Sequence, residues 1–274
     1  MQHEPPGLEE APPTNLLAID VGNTHIKVGV WDSGRWCAEW RLSTDIRRTA
    51  DEYHLSLRGL LQEAGLRMVE RAVVASVVPL LTPVFVRAAG SVAHHPALEV
   101  SPPGYGMGVD YDPPESLGAD RFVNALAAWH LVHGPVVVVD VGTTATIDAV
   151  SADGRFLGGS IAPGPHFLTQ ALAQGTARLP HIPPVIPDFA IGRRTADAIA
   201  AGVGHGFVGM VRELVVWARQ VTGESAEVVL TGGWAGRLRP HLGFAARLEP
   251  RLTLEGLRVA AEWAAAHDPG WTRD

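Results

Sequence analysis

The sequence predicts an α/β protein built from two duplicated halves, and three observations carry that expectation. Apolar runs of strand length alternate with helix-period segments along the chain. Residues 19–36, IDVGNTHIKVGVWDSGRW, return 120 positions later as 139–156, VDVGTTATIDAVSADGRF, without a gap. Asp20/Asp140, Val21/Val141, Gly22/Gly142, Thr24/Thr144, Val30/Val150, Gly34/Gly154 and Arg35/Arg155 are identical pairs, where ordinary composition gives about one match by chance. Each copy reads as strand, polar Gly turn, strand, and a second turn at Ser-Gly or Asp-Gly.

Residues 16–19 and 26–31 make the first hairpin, with 36–42 as a third strand. Asp45, with Leu55, Leu57, Leu60 and Leu61 at helical spacing, predicts a capped helix over 51–64. A buried strand at 72–76, a helix over 80–89 after Pro79 and a strand at 98–100 follow. The Pro- and Gly-rich loop 101–118 has a length that is usually functional or mobile. A helix over 120–133 leads to the strand 136–140, apolar enough for burial on both faces. Beyond the second hairpin lie a glycine-rich turn at 158–165, a helix over 166–173 and a Pro-rich loop at 175–190. The stretch 195–221 reads as one long helix or two joined at glycines, and 228–230 as a strand before the turn Thr231-Gly232-Gly233. A final amphipathic helix spans 253–266, with Leu254, Leu257, Val259, Ala260 and Trp263 as its apolar positions. The implied organisation is a disordered tail at 1–14, an N-terminal domain at 15–133, a C-terminal domain at 134–266 and a loose end at 267–274.

Composition narrows the function. A net charge of −7 and a pI near 5.9 argue against a nucleic-acid-binding surface. Cys37 is the only cysteine, so neither an intramolecular disulfide nor a Cys-rich zinc site is available, and the cytoplasm is the expected compartment. The acidic, Pro-rich start has no apolar core of the signal-peptide kind. The longest strong apolar run, 136–139, is far short of the ~20 residues a membrane helix requires, so no membrane partner is expected.

A strand ending in Asp-x-Gly-(Asn/Thr)-Thr places a carboxylate beside backbone N–H groups and hydroxyls, with Gly admitting a ligand close to the main chain. Those parts suit a phosphate and its metal. Two such turns suit a nucleoside triphosphate, with the acids serving the cation, since bare carboxylates repel phosphate. A duplicated hairpin whose Asp and Gly serve only turn geometry explains one copy but not the same side chains twice.

Other patterns weigh less. Gly204-x-Gly206-x-x-Gly209 matches the dinucleotide letters, but it follows the helical stretch ADAIAAG rather than a strand, so close helix or subunit approach explains it better. No GxxxxGK[ST], HExxH or GxSxG occurs among the 274 residues, and His130 with His133, or His94 with His95, reads as structural. Gly118-Ala119-Asp120-Arg121 stands where the long loop enters a helix. Asp120 there is either a favourable charge at a helix N-terminus or a carboxylate base beside an anion-binding arginine. Its place between the two phosphate-type turns, after a loop carrying Tyr105 and Tyr111, favours the second. Thr231-Gly232-Gly233 suits a nucleotide base or ribose resting on bare backbone.

Together, Asp20-Val-Gly-Asn-Thr24, Gly118-Ala-Asp-Arg121, Asp140-Val-Gly-Thr-Thr144, the segment from Gly192 to Thr195 and Thr231-Gly-Gly resemble the type III pantothenate kinases of the acetate and sugar kinase/Hsp70/actin superfamily. The resemblance covers nearly the whole chain, and GADR between the two turns is its most specific part. It implies two duplicated actin/RNase H-like domains with mixed sheets flanked by helices and a cleft between them. It also implies ATP-dependent phosphorylation of the primary hydroxyl of pantothenate, the first step toward coenzyme A, by a homodimer that uses Mg²⁺ and a monovalent cation, K⁺ or NH₄⁺. By matching positions, Asp20, Val21, Gly22, Asn23, Thr24, His25, Ile26 and Lys27 would line the ATP phosphates, with Asp20 near Mg²⁺ and Thr143 also on ATP. Asp120 would be the proton acceptor and Asp140 the monovalent-cation ligand. Tyr111, Gly118, Ala119, Asp120, Arg121 and Thr195 would contact pantothenate.

The residue chemistry agrees, because phosphoryl transfer depends mainly on positioning and charge neutralisation, and the base accepts its proton late. Arg121 could hold the substrate carboxylate or the transferring group. One departure is Gly192-Arg193-Arg194-Thr195, where the family commonly has Gly-Lys-Asn-Thr. Two alternatives share the fold: a non-catalytic, transcription-associated accessory factor, disfavoured by intact Asp20, Asp120 and Asp140, and another superfamily phosphotransferase, which should lack GADR.

Overall fold

A computed structural model describes residues 15–267 and residue 271; apart from His267 and Trp271, the expected tails lie outside the described residues. The chain divides into two compact units, Met1–Glu99 with Asp268–Asp274, and Val100–His267. In the first, β1 (Leu16–Val21), β2 (His25–Asp32) and β3 (Arg35–Ser43) precede α1 (Ala50–Glu63), β4 (Arg71–Ser76), α2 (Thr82–Gly90) and β5 (Leu98–Val100). Their sheet runs β3-β2-β1-β4-β5. β1 is buried at all six positions, as an apolar strand covered on both faces must be. Its core joins Leu17, Ile19, Val28 and Val30 to Tyr53, Leu57 and Leu61 of α1 and Phe85 of α2.

The second unit contains β6 (Gly108–Val109), α3 (Ala119–Val132), β7 (Val136–Val141), β8 (Thr144–Val150), β9 (Arg155–Pro163), α4 (Pro165–Gly175) and α5 (Thr195–Thr222), then β10 (Glu227–Thr231), α6 (Ala235–Leu238), β11 (Arg247–Leu248) and α7 (Leu252–His267). Its sheet runs β11-β10-β7-β8-β9-β6. The order β9-β8-β7-β10-β11 repeats β3-β2-β1-β4-β5: in each half three antiparallel strands are followed by a parallel pairing, β1 with β4 and β7 with β10. The duplication is therefore one of topology as well as sequence, on mixed sheets flanked by helices.

The structure departs from the sequence reading in several places. The contacts divide the chain at 99/100: β6 pairs with β9, and α3 packs along α7, where Gly256 lets Val123 approach. The cap of α1 is Thr49, not Asp45: Thr49 and Glu52 form a reciprocal capping box, while Asp45 turns to the Arg47 guanidinium. Helix α2 starts at Thr82, so Leu80 stays exposed. Trp263 is partly exposed, its ring stacked on His267 and edge-on to Tyr105 rather than in the core. Helix α5 is a single 28-residue helix. By length and composition it is apolar enough to cross a membrane, but half of that stretch is buried, with Phe207, Val211 and Val215 in a core shared with β7 and β8.

Candidate active site

Each copy of the repeat presents its aspartate at the end of a central strand, but the two copies do not pair their strands alike. In the first, residues 22–25 lie between the paired Val21 and Ile26. In the second, only residues 142–144 lie between Val141 and Ala145. The missing residue reappears at the next turn: residues 32–35 separate Trp31 from Trp36, whereas 151–155 separate Val150 from Phe156. So β8 matches β2 at an offset of 119, although the flanking strands keep 120. Since side chains alternate along a strand, this slip reassigns every partner on β8.

The consequence falls on the acids. Asp20 faces Lys27, whose ammonium nitrogen is 3.3 Å from its carboxylate, and the Asp20 side chain is nearly buried. Asp140 faces Thr146 instead, and its Oδ2 accepts a 3.0 Å hydrogen bond from Asn124 of α3. Across β10, Asp140 is the register partner of Thr231. Gly232, at φ +91°, lets the chain pass so close that a Cβ there would lie 2.4 Å from Asp140 Oδ1. Asn124 Oδ1 and Thr231 Oγ1 are buried and find no hydrogen-bond partner in the structure. A carboxylate with two such oxygens nearby is the donor chemistry of a hard cation, so these residues fit the monovalent ion expected at Asp140.

The turns themselves are open. Asn23, Thr24, His25, Gly142, Thr143 and Thr144 are exposed, while backbone bonds from Gly22 to His25 and from Gly142 to Thr144 keep each turn tight. Gly164, the N-cap of α4, donates to the Thr143 carbonyl and packs against Gly142. Neither α3 nor α4 has a side-chain bond from its N-cap; the α4 end is thereby suited to an anion, while at α3 Asp120 itself takes a first-turn N–H. Asp20 with Lys27 is a single carboxylate rather than a cage; Mg²⁺ is commonly held by one or two carboxylates plus substrate phosphates, so this position fits too.

Asp120 lies in the first turn of α3 behind the N-cap Gly118, half-buried, with Oδ1 accepting from the Arg121 backbone N–H at 2.7 Å. Arg121 is buried: Nε and Nη2 lie 3.0 and 2.5 Å from Asp148 Oδ1, Nη1 lies 3.4 Å from the Tyr111 hydroxyl, and the guanidinium sits 5.5 Å from the ring centres of Tyr111 and Phe156. Burial pushes the Asp148 carboxyl up to about 6 despite the opposing pull of Arg121. The structure thus brings Tyr111, Gly118, Ala119, Asp120 and Arg121 together, with Asp140 tied to the same helix through Asn124. Thr195 is the first residue of α5, exposed, and Gly192 folds back against Asp197 and Ala198 of that helix's first turn. Asp148 and Asn124 had no place in the sequence reading, although a lone carboxylate inside the apolar strand TATIDAV was a visible signal. A cavity of about 750 Å³ beside β10 and β11, bordered by Arg219, Arg239 and Arg247, contains none of these acids.

The model of the family described as type III pantothenate kinase matches residues 16–216. The chain belongs to that family. The type III pantothenate kinase of Moorella thermoacetica is 42% identical over 250 residues, covering 90% of this chain and 98% of that protein. The enzyme of Geobacter sulfurreducens is 39% identical over 252 residues, again covering 90% and 98%. Among solved structures, a conserved putative Baf family transcriptional activator from Campylobacter jejuni superposes with a TM-score of 0.59 at 19% identity, covering 90% of this chain and 97% of that one. A putative 2-dehydro-3-deoxygalactonokinase from Sinorhizobium meliloti gives 0.59 at 17%, covering 93% and 99%. At such identities these two speak for the fold alone. The accessory-factor alternative is not favoured beside kinases at about 40% identity.

Proposed function

We infer that the protein transfers the γ-phosphoryl group of ATP to the primary hydroxyl of pantothenate, the first step toward coenzyme A. The observation that carries this reading is the asymmetry of the two turns: one acid faces a lysine, the other faces oxygen donors, and a third carboxylate, Asp120, stands outside the repeat at a helix N-terminus. Asp120 orients the substrate hydroxyl and takes its proton late in the transfer. Lys27, with the turn residues from Val21 to Ile26 and with Thr143, lines the ATP phosphates. Asp20 would hold Mg²⁺, and Asp140, Asn124 and Thr231 would hold K⁺ or NH₄⁺; when bound, these cations supply charge neutralisation for the phosphates. Tyr111, the GADR residues and Thr195 bind pantothenate. A homodimer in the cytoplasm completes the reading, supported by exposed apolar side chains of α5, Val216, Trp217 and Val221. The test is a purified-protein assay for phosphopantothenate with ATP and Mg²⁺, in K⁺ against Na⁺. K⁺-dependent product is expected; no product with either cation would overturn the reading.

A further inference from the structure

Asp148 has no counterpart in the first half. The one-residue slip puts it at the strand position of Gly29, and nothing about a β-hairpin calls for a carboxylate there. It is 1% exposed, in a strand whose other residues beyond Thr144 are all buried. Two features show that the local structure is shaped around it. Gly159, its cross-strand partner on β9, leaves the space the ion pair occupies: a Cβ at 159 would lie 2.3 Å from Asp148 Oδ1 and 2.9 Å from Arg121 Nη2. And Asp148 Oδ2 is buried with no hydrogen-bond partner, a cost that a purely structural pair would be rid of if both residues were apolar.

The contacts also say which way the guanidinium is turned. Nε and Nη2 are both committed to a single Asp148 oxygen, and the Tyr111 and Phe156 rings flank the group. The remaining edge, at Nη1, is the one beside the Tyr111 hydroxyl. With its charge matched by Asp148, Arg121 is poorly suited to clamping a highly charged phosphoryl group. It is well suited to presenting oriented donors to a neutral or singly charged organic substrate.

We propose that Asp148 is a positioning residue: it holds Arg121 in one orientation, so that Arg121 and Tyr111 together recognise pantothenate and not ATP. This rests on the pantothenate kinase reading above.

The experiment compares the parent protein with Asp148→Asn, whose amide keeps the shape and loses the charge, at a temperature where circular dichroism shows both folded. The expected result is a rise of roughly tenfold or more in KM for pantothenate, as one charge-assisted contact is lost, with KM for ATP unchanged. An unchanged pantothenate KM, or a loss confined to the active fraction with both KM values intact, would overturn the proposal and leave Asp148 a structural residue. If Asp148→Asn does not fold, Gly159→Ala takes its place, since a methyl there displaces the pair while leaving both charges. The same selective rise in pantothenate KM is then expected, and its absence in folded Gly159→Ala overturns the proposal. Failure of the parent protein to phosphorylate pantothenate is a separate outcome: it removes the underlying reading and the proposal with it.

Discussion

The two Asp-x-Gly-x-Thr hairpins share a topology and seven identical positions, yet one residue moved from the first turn to the second gives them different chemistry. The first copy sets Asp20 against a lysine, a pairing suited to anionic phosphates and their metal. The second sets Asp140 against Thr146 and Asn124, and two strand positions further it buries Asp148 against Arg121. Register, more than residue identity, decides what a duplicated motif can bind.

The strongest way to break that comparison is to show that an acid of the repeat does the proton transfer. Asp120→Asn is expected to lower kcat by about 10²- to 10⁴-fold, the usual worth of a positioned general base, with KM for ATP little changed. Full activity in that variant would move the base into one of the hairpins. A smaller effect sharpens the comparison directly. Thr146→Lys sets an ammonium across from Asp140, as Lys27 stands across from Asp20. In the parent protein K⁺ should raise the melting temperature relative to Na⁺, and in Thr146→Lys that difference should vanish.

Acid titration separates the halves further. The Asp148 carboxyl is raised from 3.8 to about 6, so the folded state holds its proton more tightly than the unfolded chain does. Its contribution to stability is full below about pH 4 and is lost as pH rises through about 6. Urea unfolding at several values between pH 4 and 7 should show this decline in the parent protein and a flatter profile in Asp148→Asn. The smallest expected effect lies in the first unit, away from both turns. Thr49→Ala removes the capping box of α1 and should cost about 1 kcal/mol, with no change in either KM.

The order of elements was legible because apolar runs and turn residues are local signals, and the duplication made each half a check on the other. Asp20, Asp120 and Asp140 were singled out as candidates by the chemistry of the turns around them. Asp148 and Asn124 were not, since both act across strands or between helix and strand. The ungapped alignment also set Asp148 beside Val28, a position with no role, and so concealed it. The capping box of α1 was missed for a different reason: Asp45 is as good a cap by type as Thr49, and only the reciprocal Glu52 at the third helical position distinguishes them. The packing of α3 on α7, where Val123 approaches Gly256 more than 100 positions away, is likewise a long-range contact that no local pattern announces.

Strand β6 is only two residues long, yet it changes the entropy of recognition. It fastens the loop 101–118 to β9 through Gly108 and Val109, and Asp110 adds a backbone bond to Phe156 and an ion pair with Arg155. Tyr111 is the next residue. Ordering a free chain costs about 1–2 kcal/mol per residue, so a ligand that had to organise this loop unaided would bind weakly. Here the fold has already restrained the tyrosine before any ligand arrives, and binding energy that would have gone into freezing the loop is left for selectivity.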